Sequence, residues 1–160
     1  MASLSCAALL AAVPLSNTVA QQAAETPEYL AIRDVPHGTV QELNYESESL
    51  DKAREALVYL PPGYESSSDA YPVLYLLHGA GGDQRTWIDR QQAHVILDNL
   101  IADGELDPLV VVMPYGYTSR LPAGERRRGA EGYKQDMEEF AVDFVNDLVP
   151  LVESRYRVVG

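Results

Sequence analysis

The stretch His78-Gly79-Ala80-Gly81-Gly82-Asp83 holds the residue types best suited to chemistry. It follows directly on Val73-Leu74-Tyr75-Leu76-Leu77, a continuously apolar run of strand length, and open α/β sheets place their ligand sites beyond the carboxyl ends of such strands. Three glycines let the backbone turn sharply and expose its N–H groups. A dinucleotide loop would need a further glycine where Gln84 stands, and no phosphate-loop lysine follows, so nucleotide binding is disfavoured. An oxyanion hole would use a backbone N–H here to stabilise the charge of a tetrahedral intermediate. The plain alternative is a glycine-rich turn, and the local string alone leaves these two open.

Positioning such a loop requires a sheet and its crossovers. Val73–Leu77 reads as a strand covered on both faces, and Leu109-Val110-Val111-Val112-Met113 repeats the signature. Between them Ala93, Ile96, Leu97, Leu100 and Ile101 fall on one helical face, with Asp89 as the start signal, Gln92 three residues on, and a stop near Gly104. Upstream, Gly38–Ser47 and Glu55–Pro61 alternate roughly, and the polar residues between them predict an antiparallel pair. Downstream, a helix is expected from about Asp136, with Glu139 completing a capping-box spacing and Phe140, Phe144, Leu148, Leu151 and Val152 on one side. Pro150 should kink or restart it. Arg155–Val159 reads as the lead-in to another strand, so the expected fold class is α/β, cut short.

The 160 residues carry 24 acidic and 12 basic side chains, a formal net charge of −12. That charge repels phosphate backbones, and the dense basic run is confined to Arg126-Arg127-Arg128, so a nucleic-acid partner is disfavoured. With 46% hydrophobic residues the chain has enough apolar material for a packed core. Residues 1–20 are uncharged, apolar and small up to Thr18-Val19-Ala20, which predicts a cleaved signal peptide and a secreted or periplasmic protein, although a basic n-region is missing. Residues 21–34 read as an exposed leader and 35–160 as the domain. Cys6 is the single cysteine and lies within the expected signal peptide, so disulfides and cysteine catalysis are not expected after cleavage. No later apolar stretch reaches the ~18 residues of a membrane span.

Several strings in order, VPHGTV (35–40), VYLPPGY (58–64), LYLLHGAGGD (74–83) with Trp87, VVVMPYG (110–116) and DLVPLVESRYRV (147–158), resemble the secreted esterases of the α/β-hydrolase superfamily. The subgroup is the esterase D-like or carbohydrate esterase group, with feruloyl esterases, acetylxylan esterases and mycolyltransferases. The resemblance runs from Val35 to Gly160 and implies the N-terminal half of an α/β-hydrolase fold. It further implies that the N–H of Ala80 is an oxyanion donor, with His78, Gly79, Gly81 and Gly82 shaping the loop and Trp87 lining a substrate pocket. A histidine at a strand end more often orients a loop than transfers a proton, and a large aromatic often packs before it binds. No cofactor is implied.

The departure from that family is its nucleophile. Such enzymes attack with a serine in a G-x-S-x-G elbow, supported by an acid and then a histidine in chain order. The sequence contains no G-x-S-x-G: Ser47, Ser49, Ser66, Ser67, Ser68, Ser119 and Ser154 all lack the flanking glycines. His37 and His94 are not credible substitutes for the missing base. The expectation is therefore the N-terminal portion of a serine carboxylesterase acting on feruloyl or acetyl esters of polysaccharide, with the triad beyond Gly160. The competing expectation is a secreted, non-catalytic binding module. An open edge at the Val73–Leu77 strand is also expected, since the family's nucleophile strand would neighbour it. Lesser candidates are Tyr115 and Tyr117, with Gly116, Thr118 and Ser119, for a substrate groove. Arg126–Arg128 in the 124–132 stretch read as a mobile surface insertion. Asp136, Glu138 and Glu139 read as helix-start acids complementing the dipole. His37, His78 and His94 lack metal-ligand spacing.

Overall fold

A computed structural model describes residues 27–118 and 129–159. The expected signal peptide, residues 21–26 of the leader, and Ser119 through Arg128 lie outside the described residues. Strands β1 (Thr39–Ser47) and β2 (Lys52–Leu60) pair antiparallel, from Thr39 opposite Leu60 to Ser47 opposite Lys52. The turn between them closes with Asp51 in a left-handed conformation, which a short polar side chain tolerates. β2 begins three residues before the alternation suggests.

β3 (Tyr71–Tyr75) leads through α1 (Thr86–Asp89) and α2 (Ala93–Ala102) to β4 (Val110–Pro114), which pairs parallel with β3 and antiparallel with β2. Helix α3 (Gly129–Asp143) opens into a π-helical turn over Phe144–Leu148 and continues as α4 (Val149–Arg155). β5 (Val158–Val159) then pairs parallel with Tyr71 and Pro72 of β3. The sheet order is β1-β2-β4-β3-β5. Alternation along β2 and β4 divides the core by face. Ala56, Val58, Leu60, Val110 and Val112 join Leu148, Val152 and Tyr156 on one side. On the other, Leu57, Tyr59, Val111 and Met113 meet Trp87, Ile88 and Leu97.

Four expectations are corrected. β3 is not covered on both faces: Leu74 is 43% exposed, because it borders an open cavity with Trp87, Ile96 and Leu97, and Leu77 just beyond the strand is 41% exposed. Asp89 does not start the long helix. It ends α1 and takes Arg85, while Gln92 turns left-handed and α2 begins at Ala93 with no side-chain cap. The buried face of α2 includes Asp98 and Asn99, leaving Ile96 and Leu97 half-buried. Asp98 is drawn in by the Tyr59 hydroxyl (2.7 Å) and the Gly38 N–H (2.9 Å). The stop near Gly104 holds: the Gly104 N–H reaches the Ile101 carbonyl and the Glu105 N–H reaches that of Leu100, a closure that left-handed Gly104 permits. Finally, α3 starts at Gly129, so Gly129–Gly132 is helix rather than insertion, and Asp136 and Glu139 sit mid-helix. Pro150 does mark a restart, as the second residue of α4, where its missing N–H costs little.

The segment before β1 lies along α2. Asn99 donates its amide to the carbonyls of Tyr29 and Ala31 (3.1 and 2.9 Å), and Arg33 pairs with Asp103 at 2.7 Å.

Candidate active site

Because β3 and β4 are parallel, their carboxyl ends emerge at one sheet edge, and the loops following them meet there. In the first loop the Gly82 N–H donates to the Gly79 carbonyl (3.0 Å), and Gly81 is left-handed at φ 80°. That conformation favours glycine. A Cβ on Gly82 would stand 2.9 Å from the Thr86 hydroxyl and 3.1 Å from the His78 Cβ, so this position also needs a glycine. His78 is engaged at both ring nitrogens: Nδ1 lies 2.8 Å from the Gly79 carbonyl, and Nε2 accepts the Gly116 N–H at 3.0 Å. A carbonyl requires a donor and an N–H an acceptor, which assigns the proton to Nδ1.

The second loop supplies the opposite wall. The Tyr117 hydroxyl accepts the Gly81 N–H at 2.7 Å. The rings of His78, Tyr115 and Tyr117 cluster with centroids 5.3–5.9 Å apart. Between the loops lies a cavity of about 110 Å³ bounded by His78, Gly79, Ala80, Gly116 and Tyr117. Tyr133 and Met137 of α3, four residues apart on one helix face, close it. The Ala80 N–H has no hydrogen-bond acceptor among the described residues.

The structure thus brings His78, Gly79, Ala80 and Tyr117 together around one cavity, with Tyr115 packed against two of them. Trp87 stands apart. Its Nε1 donates to the Leu77 carbonyl (3.0 Å), and its ring lies on the Met113 side of the sheet. There it lines a second, apolar cavity of about 260 Å³ with Leu74, Leu76, Ile96 and Leu97. His37 is also elsewhere, with Nδ1 3.0 Å from Asp98 Oδ2. Among the described residues no group of three or more His, Cys, Asp or Glu is placed to hold a metal ion, and no helix is long and apolar enough to cross a membrane.

Asp136 is no helix-start acid. It is buried, and its Oδ1 lies 2.9 Å from the Thr118 hydroxyl, which also meets Glu139 Oε2 at 2.6 Å. These carboxylates anchor the second loop to α3. Glu138 faces solvent and pairs with Lys134 at 3.7 Å.

One residue beneath the site was absent from the sequence reading. Arg54 of β2 is 4% exposed and donates through Nε to Asp143 (3.0 Å), through Nη1 to the Tyr117 carbonyl (2.6 Å) and through Nη2 to the Tyr115 carbonyl (2.7 Å). Asp143 is fully buried and accepts the Tyr45 hydroxyl at 2.8 Å. Burial and then the Asp143 carboxylate push the Tyr45 phenol above its ordinary pKa, so it remains a donor. The signal for Arg54 was the period of two: it precedes Ala56, Val58 and Leu60 in the inward series.

A mixed sheet with an antiparallel lead-in, parallel β4, β3 and β5, helices on both faces and a glycine loop at the strand ends is the layout of an α/β-hydrolase, in its N-terminal part. The chain matches the "Putative esterase" family over residues 47–160 and belongs to it. Over 132 residues, 80% of this chain, it is 38% identical to an endo-1,4-beta-xylanase/feruloyl esterase of Xylanibacter ruminicola. It is 33% identical over 100 residues, 62% of this chain, to endo-1,4-beta-xylanase Y of Acetivibrio thermocellus. It spans 17% and 8% of the length of those relatives. Among solved structures, the feruloyl esterase module from Clostridium thermocellum complexed with sinapinate matches 83% of this chain and 41% of its own, at 28% identity and TM-score 0.63. The ferulic acid esterase of Anaeromyces mucronatus without substrate shares the fold at TM-score 0.71 and 23% identity, covering 84% of this chain and 50% of that one.

Proposed function

We propose that this chain is the N-terminal portion of a secreted carboxylic ester hydrolase working through a serine acyl-enzyme, on feruloyl or acetyl esters of polysaccharide. The observation that carries the reading is the Ala80 N–H, without an acceptor among the described residues at the rim of a cavity between two strand-end loops. Such a donor serves the oxygen of a tetrahedral intermediate, whose negative charge develops only as the carbonyl is attacked. β5 runs parallel beside β3, so its direction is toward the sheet edge at which the Ala80 loop lies. A serine elbow there would face that N–H. Its hydroxyl, deprotonated by a histidine base, would add to the ester carbonyl, and collapse of the intermediate would expel the alcohol and leave the acyl group on serine. Water would then release the acid.

In this scheme His78 orients the loop. Its Nε2 lone pair is taken by Gly116 N–H, which leaves it poorly placed as a proton acceptor. Tyr117 lines the substrate side, with Tyr115 packed behind it. Feruloyl esters are favoured by the names of the relatives, and export by the uncharged apolar run of residues 1–20.

The test is hydrolysis of methyl ferulate and aryl acetates by the full-length protein, wild type and Ala80→Pro. Removing the N–H should lower kcat by about 10²–10³-fold. A folded wild-type protein that releases neither acid would refute the reading, and an Ala80→Pro variant of undiminished kcat would remove Ala80 from it.

A further inference from the structure

We propose that Arg54, outside the cavity and buried beneath it, is a positioning residue for the His78–Gly82 loop. One guanidinium fixes two carbonyls of the neighbouring loop, those of Tyr115 and Tyr117, at 2.7 and 2.6 Å. The segment between those carbonyls makes the two contacts that hold the glycine loop: the Gly116 N–H on His78 Nε2 (3.0 Å) and the Tyr117 hydroxyl on the Gly81 N–H (2.7 Å). Ala80 lies between His78 and Gly81, so both of its flanks are tied, through one loop, to a single side chain. Asp143 aligns the fork through Nε at 3.0 Å, and Tyr45 in turn holds Asp143.

The arrangement suits arginine alone. Its planar fork presents donors in fixed directions, whereas a lysine ammonium is a point charge that cannot span a carboxylate and two separate carbonyls in the same geometry. The cost of burying the group is met by three strong partners, and its two loop contacts are to backbone, so they are indifferent to which side chains line the cavity. Displacing the loop would misdirect the Ala80 N–H. A small misplacement of a transition-state donor lowers turnover more than ground-state binding.

The catalytic half of this inference rests on the proposed ester hydrolysis. Its structural half does not, and the test separates them. In the full-length protein, Arg54→Lys should lower kcat roughly 10- to 100-fold with KM held within about twofold. It should also abolish the His78 signature of a protonated Nδ1 and an unprotonated Nε2 in imidazole nitrogen NMR. A variant with lowered Tm but wild-type kcat and an unchanged His78 signature would make Arg54 merely structural and overturn the proposal. Should Arg54→Lys fail to fold, Tyr117→Phe carries the test. It removes the acceptor of Gly81 N–H while leaving the Arg54 contact to the Tyr117 carbonyl, so kcat should fall with Tm kept, and an unchanged kcat would overturn the proposal. If the wild type hydrolyses no ester, the functional reading fails by itself. The His78 signature then decides: lost in Arg54→Lys it sustains the brace, retained it refutes it.

Discussion

β3 and β4 carry nearly the same kind of sequence and occupy different environments. Leu109–Met113 and Val73–Leu77 are both unbroken apolar runs, yet every residue of β4 is buried, while β3 alternates between buried, half-buried and exposed. The difference lies in their neighbours. β4 is flanked by β2 and β3, whereas the far side of β3 is paired only at Tyr71 and Pro72, by Arg157–Val159, among the described residues. An apolar run therefore reports what a strand can be buried against. The chemistry follows the same division. The rigid side supplies Arg54 and Asp143, and the half-open side carries the glycine loop that they steady through Tyr115–Tyr117.

Truncating one large apolar side chain on each strand is the strongest way to break this comparison. Met113→Ala, at a fully buried site packed with Leu57, Tyr59 and Val111, should cost about 2–5 kcal/mol. Leu74→Ala, which faces a cavity and is 43% exposed, should cost under about 1 kcal/mol, because solvent already wets much of the side chain. Chemical denaturation with matched m-values measures both, and equal losses would mean that β3 is as enclosed as β4.

Two glycines sharpen the same contrast. A Cβ on Gly38 would collide with the Leu60 carbonyl and the Tyr59 ring, so Gly38→Ala should destabilise by about 1–3 kcal/mol through overpacking. It should also loosen Asp98, which accepts both the Gly38 N–H and the Tyr59 hydroxyl. A Cβ on Gly79 meets nothing within 4 Å, and Gly79→Ala should leave Tm nearly unchanged. Thermal melts of the pair settle the point, and a Gly79 variant as unstable as the Gly38 variant would show the loop to be packed after all.

Much of this layout was legible in the sequence, and the parts that were not failed for reasons that can be named. Strand existence and order of type followed from apolar runs and alternation, because sheet burial imposes those patterns directly. Helix starts did not. Asp89 and Asp136 each head a plausible capping spacing, but the chain closes a separate short helix at Asp89 and turns left-handed at Gln92, while Asp136 is pulled inward by Thr118. At Asp136 a tertiary hydrogen bond overrode the local rule, whereas at Asp89 a local bond to Arg85 belongs to a different, shorter helix. The His78–Ala80 loop was visible because glycine clustering after a strand has few uses. Tyr133, Met137 and Arg54 were invisible as site residues because their roles depend on residues 16 to 89 positions away in the chain.

The smallest expected effect lies at the margin of the rigid side, where Asp147 of the π-helical turn receives the Ser47 hydroxyl (2.9 Å) and the Ser49 N–H (3.2 Å). Desolvation tends to raise this carboxyl, but the hydrogen bonds from Ser49 and Ser47 outweigh it and hold it below the ordinary aspartate range. A depressed folded-state pKa means that the link contributes stability above the unfolded value of about 3.9 and loses it as pH falls through the lower, folded one. Asp147→Asn should therefore lower Tm slightly at pH 7, by an amount limited by solvent screening of a half-exposed site, and the gap from wild type should close as pH falls through the depressed folded-state pKa. A gap that persisted in acid would show that the β1–β2 turn is held to the helix by shape alone, with the ionised carboxylate contributing nothing.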